Sequence, residues 1–114
     1  MTGQIEPFLS AESAWVWFSV MQKARHEGVR PQGHGGRRPC DIDDIAAAYL
    51  RLVRARRISK FQAHVLAKYG FEERMPDRRY EPREYQAWYQ GLDALQTVLV
   101  DKGIVEPRHD DQAA

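Results

Sequence analysis

The sequence predicts an all-α protein, a small bundle of about four helices with a central helix-turn-helix-like hairpin. Three observations carry that expectation. Every long apolar pattern repeats with the 3.6-residue period of a helix, and none alternates as a half-buried strand does. The starts of these patterns carry cap residues, and glycines and prolines fall between them. With 114 residues the chain is sized for one domain, which buries about 65% of its unfolded surface on folding.

The hairpin occupies Cys40 to Gly70. Asp41 is a good N-cap, and Asp44 places a carboxylate where the helix dipole and the free amides favour one. Ile42, Ile45, Ala46, Tyr49, Leu52 and Val53 then share one face, which is expected to be core. The pattern breaks at Arg57-Ile58-Ser59, and Ser59 to Gln62 has the Ser-x-x-Gln form of a capping box. A second helix starts there, carries Phe61, Val65, Leu66 and Tyr69 inward, and is expected to end at Gly70, with Tyr49 and Phe61 buried together.

Before the hairpin, residues 1–9 read as an N-terminal arm and Ser10 caps a helix from about Ala11 to Glu27, closed by Gly28. The polar stripe of that helix, Glu12, Ser19, Lys23 and His26, is narrow. A helix so apolar all round is either the central helix of the fold or offers a second face to a partner. Trp15, Trp17 and Phe18 are the candidates for such a docking or homodimer face. Residues 28–39 form a basic glycine-rich loop, with Arg30, Arg37 and Arg38. After the hairpin, Phe71 to Arg83 connects, and Pro82 opens a last helix running to about Lys102. Tyr85, Trp88, Tyr89, Leu92, Leu95 and Leu99 form its apolar stripe, and Ile104 and Val105 tuck back against it. The single domain thus spans 10–105, and residues 106–114 read as a disordered acidic tail.

Net charge is only +1, but it is unevenly spread. Gly28 to Gly70 holds nine Lys or Arg against three Asp, whereas Glu84 to Ala114 holds two against six acidic residues. Such a dipole suits a protein that meets polyanion on one side. The plainer alternative is a solvated face that keeps the protein soluble. On the helical faces left over after core assignment lie Arg51, Arg54, Arg57, Lys60, His64 and Lys68. With Arg37 and Arg38 of the loop, these are the candidate nucleic-acid-binding residues. In the usual docking of such a hairpin the second helix enters the major groove.

Other chemistry is sparse. No histidine or cysteine pair has the spacing of a zinc site, and Asp41, Asp43 and Asp44 are explained as helix-start residues. No catalytic constellation is legible, so no enzyme, metal or cofactor is expected. One cysteine excludes an intrachain disulfide. The richest apolar run, AWVWFSVM, is too short for a membrane span, so the expected location is the cytoplasm.

The stretches RRPCDIDDI, ARRIS and HVLAKYG, with KGIV closing a Trp-containing helix, resemble small alphaproteobacterial regulators related to gene-transfer-agent activators. Those are similar in turn to phage Q-type antitermination factors. The resemblance covers about residues 37–105. It implies a helical protein that binds double-stranded DNA near a promoter, contacts RNA polymerase and carries transcription past terminators. Some Q-type factors carry a cysteine-pair zinc element, which this chain lacks, so action through polymerase alone stays open. The expected function is therefore transcription regulation through DNA, polymerase or both. The alternative is a helical interaction module or phage-derived adaptor that binds no nucleic acid.

Overall fold

The computed structural model describes residues 6–28 and 40–107. They form four helices, α1 (Ala11–Glu27), α2 (Ile42–Arg54), α3 (Lys60–Glu72) and α4 (Pro82–Asp101), with no strand among the described residues beyond one isolated bridge. The expected loop residues 29–39, Arg37 and Arg38 among them, and the tail residues 108–114 lie outside the described residues.

Three helices start as their sequences dictate. Ser10 and Ser13 exchange side-chain and backbone hydrogen bonds at the start of α1, as do Asp41 and Asp44 at α2 and Ser59 and Gln62 at α3. Each box satisfies two amides that the first turn would leave without partners. The α2–α3 turn is equally defined. Arg57 N–H donates to the Leu52 carbonyl at 2.9 Å and Arg56 N–H to that of Val53 at 3.1 Å. This paired arrangement requires a left-handed residue, supplied by Arg56 at φ 57°. Ile58, only 4% exposed, anchors the corner in the core.

α1 and α4 are the two helices in contact with all three others. Within α1, Trp15 and Phe18 are buried, so neither presents an exposed aromatic face, although both line a groove between α1, α2 and α3. Trp17 is half-buried, its ring 5.3 Å from that of Phe8. Two members of the polar stripe of α1 are engaged with other helices, while His26 is exposed. Glu12 accepts hydrogen bonds from Trp88 Nε1 at 3.1 Å and Tyr89 Oη at 3.3 Å, while Lys23 Nζ reaches the Phe71 carbonyl and Glu73 near the end of α3.

α3 does not end at Gly70. It runs on to Glu72, and Glu73 at φ 57° takes the left-handed position. Gly70 is buried inside the helix because α1 crosses there: a Cβ on Gly70 would stand 2.4 Å from Ser19 Oγ and 3.1 Å from Trp15 Nε1. That space lets the Trp15 indole donate to the Leu66 carbonyl at 2.9 Å. Gly91 plays the same part in α4, where a Cβ would meet Leu66 Cδ1 at 2.9 Å. Close helix crossings of this kind tolerate no extra methyl without a shift.

α2 and α3 each lean on α1 and α4 and touch each other little. They meet at the turn and through Tyr49, whose hydroxyl donates to the Ala63 carbonyl at 3.0 Å. The expected burial of Tyr49 with Phe61 is therefore corrected. Tyr49 packs against Trp15, ring centroids 5.1 Å apart, whereas Phe61 is 39% exposed with the Arg83 guanidinium 5.2 Å from its ring centre. The inward face of α3 is set by Ala63, Leu66, Tyr69 and Gly70, and Phe61 falls to one side of it.

The ends of the domain close on each other. Phe8, expected in an arm, is 3% exposed and forms a parallel bridge with Val105. Its N–H donates to the Ile104 carbonyl, and its carbonyl accepts from Glu106 N–H, both at 2.9 Å. Gln96, buried beneath, accepts from Ala11 N–H at 2.9 Å and donates to the Glu106 carbonyl at 3.4 Å.

Candidate nucleic-acid interface

From Ile45 to Phe71 the chain has six Lys or Arg and no Asp or Glu. The fold places every one of them outward: Arg51 and Arg54 on α2, Arg56 and Arg57 in the turn, Lys60 and Lys68 on α3. Among the described residues none of these six makes an ion pair, whereas Lys23, Arg25 and Arg74 all do. Arg78, Arg79, Arg83 and Lys102 are likewise exposed without an ion pair among the described residues, but only along the hairpin do six such cations follow one another with no carboxylate between them. Unpaired cations retain their full attraction for an external polyanion, since no carboxylate has to be displaced.

The capping boxes sharpen this field. The first turn of α3 points its remaining amides and the positive end of its dipole toward the corner that carries Arg56, Arg57 and Lys60. Lys60, His64 and Lys68 succeed one another at four-residue steps along α3, a span of about 12 Å. Lys60 and His64 are exposed. Lys68 is exposed too, with its ammonium 5.2 Å from the centre of the Tyr69 ring. Arg51 and Arg54 share a face of α2 with Ala47, Leu50 and Ala55.

Gln62, near the core side of this surface, is committed elsewhere: its Oε1 accepts from Ser59 N–H and its Nε2 donates to Gln90 Oε1, each at 2.9 Å. That leaves His64 as the remaining side chain on the outer face of α3, besides the lysines, with a hydrogen-bonding group. Arg56 belongs with the predicted set, its position being fixed by the turn geometry. Nothing local marks it as the left-handed residue, since many helices end without one and arginine has no preference for that region.

At the opposite end of α3 the charges are neutralised. Tyr69 Oη donates to Glu81 Oε2 at 2.6 Å, and Arg74 grips both oxygens of Glu81 at 3.0 Å. Asp77 N–H adds a bond of 2.9 Å. Hydrogen bonds from Arg74 and Tyr69 pull the Glu81 carboxyl from its ordinary 4.5 down to about 2. Burial, followed by the hydrogen bond to Glu81, pushes the Tyr69 hydroxyl up to about 12. This node ties the α3–α4 connection and offers no cation to a ligand. Among the described residues no group of three His, Cys, Asp or Glu side chains is placed to hold a metal ion, and no helix is long and apolar enough to cross a membrane.

Fold and surface together define a class only: an all-α bundle carrying a run of unpaired cations on a splayed helical hairpin. No family model matches the chain, and neither a curated protein nor a solved structure matches it.

Proposed function

We propose that this chain is a non-catalytic cytoplasmic regulator of transcription, of the activator or antitermination type, that binds double-stranded DNA through the α2–α3 hairpin. The observation that carries the proposal is the run of six exposed Lys and Arg with no ion pair on a segment free of acidic residues. In the proposed docking α3 lies in the major groove, with Lys60, His64 and Lys68 toward the DNA, while Arg51, Arg54, Arg56 and Arg57 hold phosphates on either side. Few side chains on this face can read a base edge, so affinity is dominated by phosphate contacts and sequence specificity is modest. RNA polymerase is the second proposed partner, in keeping with the resemblance to antitermination factors.

Fluorescence anisotropy of a labelled duplex, titrated with protein at several salt concentrations, tests the proposal. Micromolar or tighter binding at low salt that weakens steeply as salt rises supports it. Failure to bind duplex at low salt rules out direct contact. The second reading, a helical interaction module without nucleic-acid contact, is favoured by a specific observation, an open apolar groove between three of the helices. A homodimer through the α1 aromatic residues forms no part of the proposal, because Trp15 and Phe18 are buried.

A further inference from the structure

A groove of about 460 Å³ opens between α1, α2 and α3. Phe18 and Tyr49 line its deeper part, Ala46 and Leu50 its α2 wall, and Ala67 and Phe71 its α3 wall. Leu50 is 45% exposed and Phe71 62%, so each facing helix leaves a large apolar side chain in water. Neither residue is needed to complete the core, which closes beneath them over Trp15 and Leu66. Contiguous exposed apolar surface of this kind marks a contact site more often than chance.

The surroundings select the occupant by charge. Arg51 and Arg54 share the neighbouring face of α2 with Leu50, and Lys68 stands beside Ala67 on α3. Lys23, on the α1 side, is already held by Glu73 and lies over the Phe71 ring at 4.9 Å. Glu27, at the end of α1, is the only carboxylate among the described lining residues. The lining thus carries one paired lysine and one glutamate, and the positive border is supplied by Arg51, Arg54 and Lys68 outside it, on α2 and α3 walls that hold no carboxylate from Ile45 to Phe71; an apolar stripe edged with carboxylates complements such a trough.

We infer that this groove is the docking site for an amphipathic helix of a partner protein, with large apolar residues at i, i+3 or i+4 and i+7 and Asp or Glu on both sides of that stripe. A second copy of this chain does not supply such a helix. The exposed large apolar residues on its helices are Val16, Leu50, Phe61 and Phe71, and α4, from the acidic part of the chain, has none. The apolar walls are no part of the DNA reading, whereas the cationic border is shared with it, so duplex and helix would compete for Arg51, Arg54 and Lys68.

The test uses two labelled 18-residue helical peptides with one Leu/Leu/Trp stripe, the first flanked by Glu and the second by Lys. The Glu peptide is expected to bind at least about tenfold more tightly than the Lys peptide, and to weaken by at least about tenfold in the Leu50→Gln, Phe71→Gln double variant. That variant replaces exposed residues with a good helix former, and circular dichroism checks that it remains folded. Equal affinity for the two peptides, no binding of either at about 1 mM protein, or undiminished binding by the double variant would each overturn the inference. Duplex affinity measured in parallel separates the two sites: peptide discrimination without DNA binding leaves this site standing and removes the DNA reading.

Discussion

Replacing Gly70 by Ala sets two effects of known sign against each other. Inside a helix the exchange relieves the backbone entropy cost of glycine, worth about 0.5–1 kcal/mol in favour of Ala. At this crossing the new methyl meets Ser19 Oγ at 2.4 Å, Trp15 Nε1 at 3.1 Å and Ser19 Cβ at 3.2 Å. Rotation of Ser19 relieves the first contact alone. The indole has no such freedom, being held by its 2.9 Å bond to the Leu66 carbonyl in a buried site. Overpacking of this kind costs about 1–3 kcal/mol, so the net expectation is a loss of about 0.5–2 kcal/mol rather than a gain. Urea denaturation followed by circular dichroism measures it. A Ser19→Ala background removes the shortest contact and should recover part of the loss, a coupling typical of touching residues. Were Gly70 only the left-handed end of α3, Ala would still destabilise, but by the same amount with or without Ser19. Equal costs in the two backgrounds, or a gain in the wild-type background, would refute the crossing argument.

Leu52, 4% exposed, should cost about 2–5 kcal/mol when changed to Ala, read as a lower urea midpoint. Arg56→Gly should stabilise the domain by roughly 1 kcal/mol, because Arg56 sits at φ 57° and glycine occupies that region without strain; the same exchange should weaken duplex binding. Glu81 titrates lower folded than unfolded, so its contribution is present above pH 4.5 and lost as pH falls toward about 2; Glu81→Gln should flatten that acid limb of the stability profile. Tyr69 titrates higher folded than unfolded, so its contribution is full below pH 10 and lost as pH rises toward about 12, an alkaline limb that Tyr69→Phe should reduce.

Helix existence and helix starts were legible because their causes are local. Asp41, Ser59 and Ser10 cap through partners three residues away, and the α4 stripe from Trp88 to Leu99 follows one period. What local pattern does not encode is which helix crosses which. Gly70 and Gly91 make room for Ser19 and Trp15 in one case and Leu66 in the other, contacts visible only when distant segments meet. Read locally, Gly70 looks like a terminator, although the true end falls to Glu73, a residue without preference for the left-handed region. Phe8 was hidden for the same reason: its partners, Ile104 and Val105, lie at the other end of the chain. Of the candidate interface, the cations were legible by subtraction, since what remains after core assignment is exposed. Their freedom from ion pairs was not, because pairing depends on where Glu73, Asp43 and Glu81 end up. Leu50 and Phe71, outside the periodic core sets, were the available sign of the groove.

The most direct measurement of the central claim is the salt dependence of duplex affinity for wild-type protein and for the Arg54→Ala, Arg57→Ala, Lys60→Ala variant. All three residues are exposed and without ion pairs, and alanine is a strong helix former, so the variant should keep its fold and its circular dichroism. Removing a cation that neutralises one phosphate should flatten the slope of log affinity against log salt by about one unit and weaken binding to all sequences alike. The expected result is therefore a slope shallower by about two to three units with lower affinity for specific and random duplexes equally. A folded variant that binds with the wild-type slope and affinity would contradict the claim that this hairpin meets DNA.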